Sequence, residues 1–206
     1  MRRVAVAILL LAPLAVWMIT LPSTIPAEDL PDHVGDAVVG ERVFWAGGCA
    51  SCHATPVNGR RAKGADRLVL GGGATLESPY GTFHVPNISP HADGIGGWST
   101  LDFVNAMLRG VAPDGRHYYP SFPYGSYAKM RTEAVIDLKA FIDTLPAVAG
   151  TTPGHELGFP WNTRRGIGFW KRLYLDPGPV VEMTDSEAEL GRYLVEGPGH
   201  CGECHT

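Results

Sequence analysis

All four cysteines of the chain fall in two copies of one five-residue pattern, Cys49-Ala50-Ser51-Cys52-His53 and Cys201-Gly202-Glu203-Cys204-His205. No other feature constrains the fold as strongly. Two cysteines three positions apart share one side of a helical turn. From there both sulfurs can form thioethers to the two vinyl groups of a haem, and the histidine that follows can ligate the iron through an imidazole nitrogen. Two disulfides or a thioredoxin-type redox pair would leave the histidine unexplained twice. A single zinc site is disfavoured by the 148 residues between Cys52 and Cys201, far more than a zinc ribbon uses. The expected cofactor is therefore haem c. Cys49, Cys52, Cys201 and Cys204 are the attachment residues, and His53 and His205 are the proximal iron ligands.

The flanks repeat as well. GERVFWAGGCASCH begins at Gly40 and GRYLVEGPGHCGECH at Gly191. Each has glycine, a charged residue, an apolar-aromatic stretch of helical character, a glycine-containing turn and then the motif. In the second copy Thr184-Asp185-Ser186-Glu187 reads as a capping box that starts the helix. The chain contains an internal duplication of a haem-binding unit.

The N-terminus carries Arg2 and Arg3 ahead of an uncharged run, of which residues 4–21 are strongly apolar. That length approaches the ~20 residues that span a bilayer as a helix, and leading arginines place the N-terminus in the cytoplasm. The expectation is an uncleaved membrane anchor over residues 1–27 with haem domains in the periplasm. A cleaved signal peptide is the alternative, although its best cleavage position, Ile25-Pro26-Ala27, has isoleucine where a small residue is wanted. Prolines punctuate a linker over 28–35. A first domain is expected over 36–148, an interdomain segment over 149–183, and the start of a second domain over 184–206.

Within the first domain three helices are legible. Residues 38–46 are apolar and aromatic and are stopped by Gly47-Gly48. In STLDFVNAMLRG, Thr100 is the expected N-cap, Asp102 suits the first turn and Gly110 the C-terminus. In TEAVIDLKAFIDTLP, Thr132 caps, apolar residues recur at helical spacing, and Pro146 stops the helix. Three helices around one Cys-x-x-Cys-His fit a mostly α, class I cytochrome c-like domain, with glycine- and proline-rich loops over 70–98 and 111–129 covering the ring. A methionine as sixth ligand closes the iron for electron transfer and raises its potential. Met130, just before the third helix, is the expected ligand. Met107 reads as core packing, and loop residues His84, His91 and His117 stay open as alternatives. The net charge of −4 gives no basic footprint for nucleic acid.

The stretches GTFHVPNISPHADGIGGWSTLDFVNAMLRGVAPDGRHYYPSFPYGSYAKM, FPWNTRRGIGFWKRLYL and GRYLVEGPGHCGECHT resemble the membrane-bound multihaem cytochrome c subunits of bacterial alcohol and gluconate dehydrogenases and related dihaem c-type cytochromes. The resemblance covers nearly all of the chain after the N-terminal segment. It implies that Met130, which follows PYxSY, is an axial ligand, and that Asn87 in VPNIS lies where an amide could reach a haem propionate, a turn-forming role being the alternative. The aromatic HYYPSFPY would pack on the ring edge or in the core. Members of that family continue past their second motif through a second domain with its own methionine. The chain is therefore expected to stop inside that domain, with one complete haem site and one partial one. Met183, at the entrance of the second unit's first helix, is not placed to serve.

The function expected is that of a membrane-anchored electron carrier and not an enzyme. It would take electrons from a dehydrogenase subunit and pass them to a quinone or terminal oxidase. A dihaem peroxidase or sulfur-compound dehydrogenase, needing an open iron, is the alternative, and a zinc-binding structural module a more distant one.

Overall fold

A computed structural model describes residues 2–181 and 186–205. Helix α1 spans Arg2–Ile19. The three sequence-legible helices follow as α2 (Ala37–Ala46), α4 (Thr100–Arg109) and α6 (Thr132–Ile142), with the first motif forming its own short helix, α3 (Cys49–His53), between α2 and α4. A single turn, α5 (Tyr124–Tyr127), precedes α6. Two further helices, α7 (Arg165–Tyr174) and α8 (Glu187–Glu196), lie beyond.

The helix starts follow from local chemistry. Asp36 caps α2 by accepting from the amides of Val38 (2.7 Å) and Val39 (3.3 Å). The cap of α4 is Ser99, one residue before Thr100. Ser99 Oγ accepts from the Asp102 amide at 3.1 Å while Asp102 returns a bond to the Ser99 amide at 2.9 Å. Asp102 lies three residues after Ser99, the spacing a capping box requires, and that reciprocity selects Ser99 over its neighbour. Gly110 ends α4 in the left-handed region, φ 59°. Arg131 occupies the cap position of α6, and Thr132 is its first helical residue.

The core forms where α2 crosses α6, with α4 packed beside α6. Phe44, Phe103, Val104, Met107, Val135, Leu138 and Ile142 fill it, joined by Ala50 from the first motif, by Ala54 just after it and by Met130. Long-range polar bonds pin the peripheral chain to this core. Asp137 Oδ1 receives both the His33 imidazole and the Asp36 amide at 2.7 Å. Asn105 exchanges two bonds with the backbone of Ile25, at 2.7 and 3.1 Å.

The loops are less irregular than their composition suggests. Strands β1 (Thr75–Ser78) and β2 (Gly81–His84) form an antiparallel hairpin, and β3 (Glu156–Leu157) adds to β2, with Gly81 opposite Leu157. The fold is mostly helical with this small sheet at one side.

The N-terminal segment does not meet the expectation of a membrane span. Among the described residues no helix is long and apolar enough to cross a membrane. Helix α1 begins at Arg2, so both arginines are within it. Residues 4–19 remain, about 24 Å of helix at ~1.5 Å per residue, short of the ~30 Å hydrocarbon core. The last turn of α1 is tied to α7 instead. Arg165 donates to the Trp17 carbonyl (2.7 Å) and to Thr20 Oγ1 (2.9 Å), and Arg172 donates to the Ile19 carbonyl (3.2 Å). Cationic groups are favoured at this helix terminus, where free carbonyls carry partial negative charge.

Candidate haem site

Helix α3 presents Cys49, Cys52 and His53 at the edge of the core cluster. Its N-cap is Gly48, left-handed at φ 63°, and its inner face is carried by the buried Ala50. The loop that follows returns over the motif. Thr55 donates its amide to Val69, and the Gly72 amide reaches the His53 carbonyl at 2.9 Å. This return brings the Pro86 carbonyl to His53 Nδ1 at 3.0 Å.

That contact decides how His53 can act. A carbonyl oxygen only accepts, so Nδ1 carries the proton and Nε2 keeps its lone pair. Burial lowers the imidazole's pKa, and the Pro86 carbonyl only partly opposes it, so the ring is held neutral. A neutral imidazole with its far nitrogen anchored to a backbone carbonyl is what an iron ligand needs. Burial also pushes the Cys49 thiol up to about 12, with Cys52 contributing in the same direction.

Met130 joins the same apolar cluster as Ala50, Ala54 and the partly buried Cys49. Its residue surface is 2% exposed, and its amide closes a turn on the Tyr127 carbonyl at 2.9 Å. Tyr127, the last residue of PYxSY, donates its hydroxyl to the Gly47 carbonyl at 3.1 Å and so ties the methionine loop to the first motif. Sequence reasoning marked the PYxSY segment but assigned Tyr127 no role.

Each rival histidine has one ring nitrogen bonded elsewhere. His84 Nε2 faces Glu156 (3.1 Å), His91 Nδ1 accepts from the Asp93 amide (3.1 Å), and His117 Nε2 donates to the Thr20 carbonyl (3.0 Å). Met107 is core packing on the inner side of α4. Asn87 is a structural residue. Its amide donates to the carbonyls of Val148 (2.7 Å) and Gly150 (2.9 Å), and its oxygen accepts from Ser89 (2.8 Å). No donor of Asn87 is left for a propionate.

In the second unit Ser186 is the N-cap of α8, accepting from the Glu189 amide. Thr184 and Met183, named in the sequence reading, lie outside the described residues. Cys201–Glu203 forms a 3₁₀ turn, and Cys201, Cys204 and His205 are exposed. Its preceding residue, His200, is left-handed at φ 41°, a conformation costing a non-glycine residue about 1–2 kcal/mol. The unit docks on the methionine loop of the first. Tyr193 Oη accepts from the Arg131 amide at 3.3 Å, and a Cβ on Gly197 would lie 3.6 Å from Met130 Cγ.

A helical domain with a Cys-x-x-Cys-His helix on its core, an anchored neutral histidine and a buried methionine in the same cluster defines a c-type haem electron carrier. The chain belongs to the cytochrome c family, whose model matches residues 37–146. It is 50% identical over its full length to a diheme cytochrome c-type protein of Cereibacter sphaeroides, covering 70% of that protein. It is 33% identical to the cytochrome c subunit of the quinone alcohol dehydrogenase of Gluconobacter oxydans, over 81% of this chain and 34% of the subunit. It is 35% identical to the gluconate 2-dehydrogenase cytochrome c subunit of Pantoea cypripedii, over 85% of this chain and 39% of the subunit. The chain thus spans little more than a third of these dehydrogenase subunits. It is an electron carrier homologous to dehydrogenase cytochrome subunits, and haem c is the cofactor the family supports.

Proposed function

We propose that the chain is a dihaem carrier that relays electrons from a dehydrogenase subunit to a quinone or terminal oxidase. Cys49 and Cys52 would hold the first haem, with His53 and Met130 as its iron ligands. Cys201 and Cys204 would hold the second, with His205 as its iron ligand. The domains are 36–148 and, after the segment 149–183, a second beginning at 184. The haem supplies a reversible one-electron couple. The protein's residues orient it, hold the imidazole neutral and shield it from water.

The observation that carries the reading is the His53 Nδ1 bond to Pro86, which fixes the tautomer an iron ligand requires. The relatives' names support the dehydrogenase as donor. The test is covalent haem retained through denaturing electrophoresis, two haems per chain by pyridine haemochrome, and reduction by a dehydrogenase partner. Zinc bound without covalent haem would refute the reading.

A further inference from the structure

Gly48 and His200 occupy the same place in their motifs, immediately before the first cysteine, and both have left-handed backbone, φ 63° and 41°. Glycine adopts that conformation freely, whereas histidine is strained by it. The ring that makes His200 a costly occupant reaches out of its own unit. A methyl placed on Gly48 would lie 4.0 Å from His200 Nε2, and the imidazole meets the Tyr127 ring edge-on, centroids 5.8 Å apart at 74°. Tyr127 is itself bonded to Gly47. Three residues beyond His200, Glu203 accepts from Ser126 Oγ at 2.8 Å. The two attachment motifs therefore meet along one seam, Gly47, Gly48, Ser126 and Tyr127 on one side, His200 and Glu203 on the other.

We infer that His200 is a positioning residue that keys the second motif onto the first, so that the two haems exchange electrons directly across this seam. The inference rests on the proposed reading that both motifs carry haem. The step is a single electron leaving one ferrous iron, which becomes ferric, and reducing the other from ferric to ferrous. No bond is made or broken and no proton moves. Such transfer falls steeply with separation, so a residue that sets the separation sets the rate.

The experiment uses the full-length, haem-loaded protein with three substitutions. His200→Gly removes the ring and suits the left-handed backbone, His200→Phe keeps a ring, and Ser126→Ala removes the Glu203 bond from outside both motifs. Haem stoichiometry, the bisignate Soret circular dichroism of closely coupled haems, and the interhaem rate after photoreduction are measured. Wild type and H200F should show two haems, a Soret couplet and fast exchange. H200G should keep two haems while its couplet falls at least twofold and its rate at least tenfold, with S126A moving both readouts in the same direction. An H200G or S126A protein that holds two haems with couplet and rate unchanged overturns the inference and leaves the two-haem reading standing. A wild type with one covalent haem overturns that reading, and the inference with it.

Discussion

Gly40 of α2 rests against the backbone carbonyl of Asp137 in α6 so closely that a Cβ at position 40 would overlap the carbonyl oxygen. The duplicate position, Gly191 of α8, has open space around it. The same letter in the repeat therefore has opposite meanings. Gly40→Ala must push apart the two helices that form the core and should cost about 1–3 kcal/mol. Gly191→Ala fills no occupied space and relieves a helix-interior glycine, so it should gain about 0.5–1 kcal/mol. Thermal unfolding of the two variants checks the opposite signs; equal effects would refute the contact.

Met130 and Met107 are both buried in one cluster, so truncating either should cost about 2–5 kcal/mol. Only one should alter the iron. Met130→Ala removes the proposed thioether ligand and should lower the potential of the first haem and abolish its low-spin methionine signature. Met107→Ala should leave both unchanged. Redox titration of the pair distinguishes them, and a methionine signature surviving in M130A would rule Met130 out.

Asn87 provides a similar separation of roles. Asn87→Ala removes its bonds to two carbonyls and to the buried Ser89 amide, the Val148 carbonyl keeping Ser89 Oγ. The expected loss is about 2–4 kcal/mol, with haem potential and stoichiometry unchanged. A shifted potential at unaltered stability would restore the propionate contact suggested by the family resemblance.

These residues show what can be read from the order of amino acids. The spacing of apolar residues and the Asp102–Gly110 punctuation place α4 to within one residue, because capping is local chemistry. The cap itself needed the reciprocal Ser99–Asp102 bond to choose between two adjacent hydroxyls. Helix α7 was not anticipated, since RGIGFWKRLY carries two glycines and no capping residue. The attachment motifs are legible because thioether chemistry fixes their spacing. Asn105–Ile25, His33–Asp137 and His200–Tyr127 join residues about 70 to 100 positions apart, and no periodicity encodes such pairs. The N-terminal run misled for a related reason: its apolar length was visible, but the inclusion of Arg2 and Arg3 in the helix and the hold of Arg165 on its last turn were not.

Lys171 gives the fold a pH dependence of its own. Its side chain crosses from α7 to the end of α4, donating to the carbonyls of Arg109 (2.7 Å) and Gly110 (2.6 Å) while lying 4.6 Å from the Tyr124 ring centroid. The residue is 9% exposed, and burial pulls its ammonium down from 10.5 to about 7. The unfolded chain thus binds the extra proton between these values, so the contribution of this group to stability rises with pH through that window and is lost as pH falls to about 7. Lys171→Met removes the titration together with the two hydrogen bonds. Relative to this variant, the wild type should gain about 1–2 kcal/mol between pH 7 and pH 9. Denaturant unfolding of both proteins across that range measures it, and a constant difference between them would show that the buried ammonium keeps its ordinary pKa.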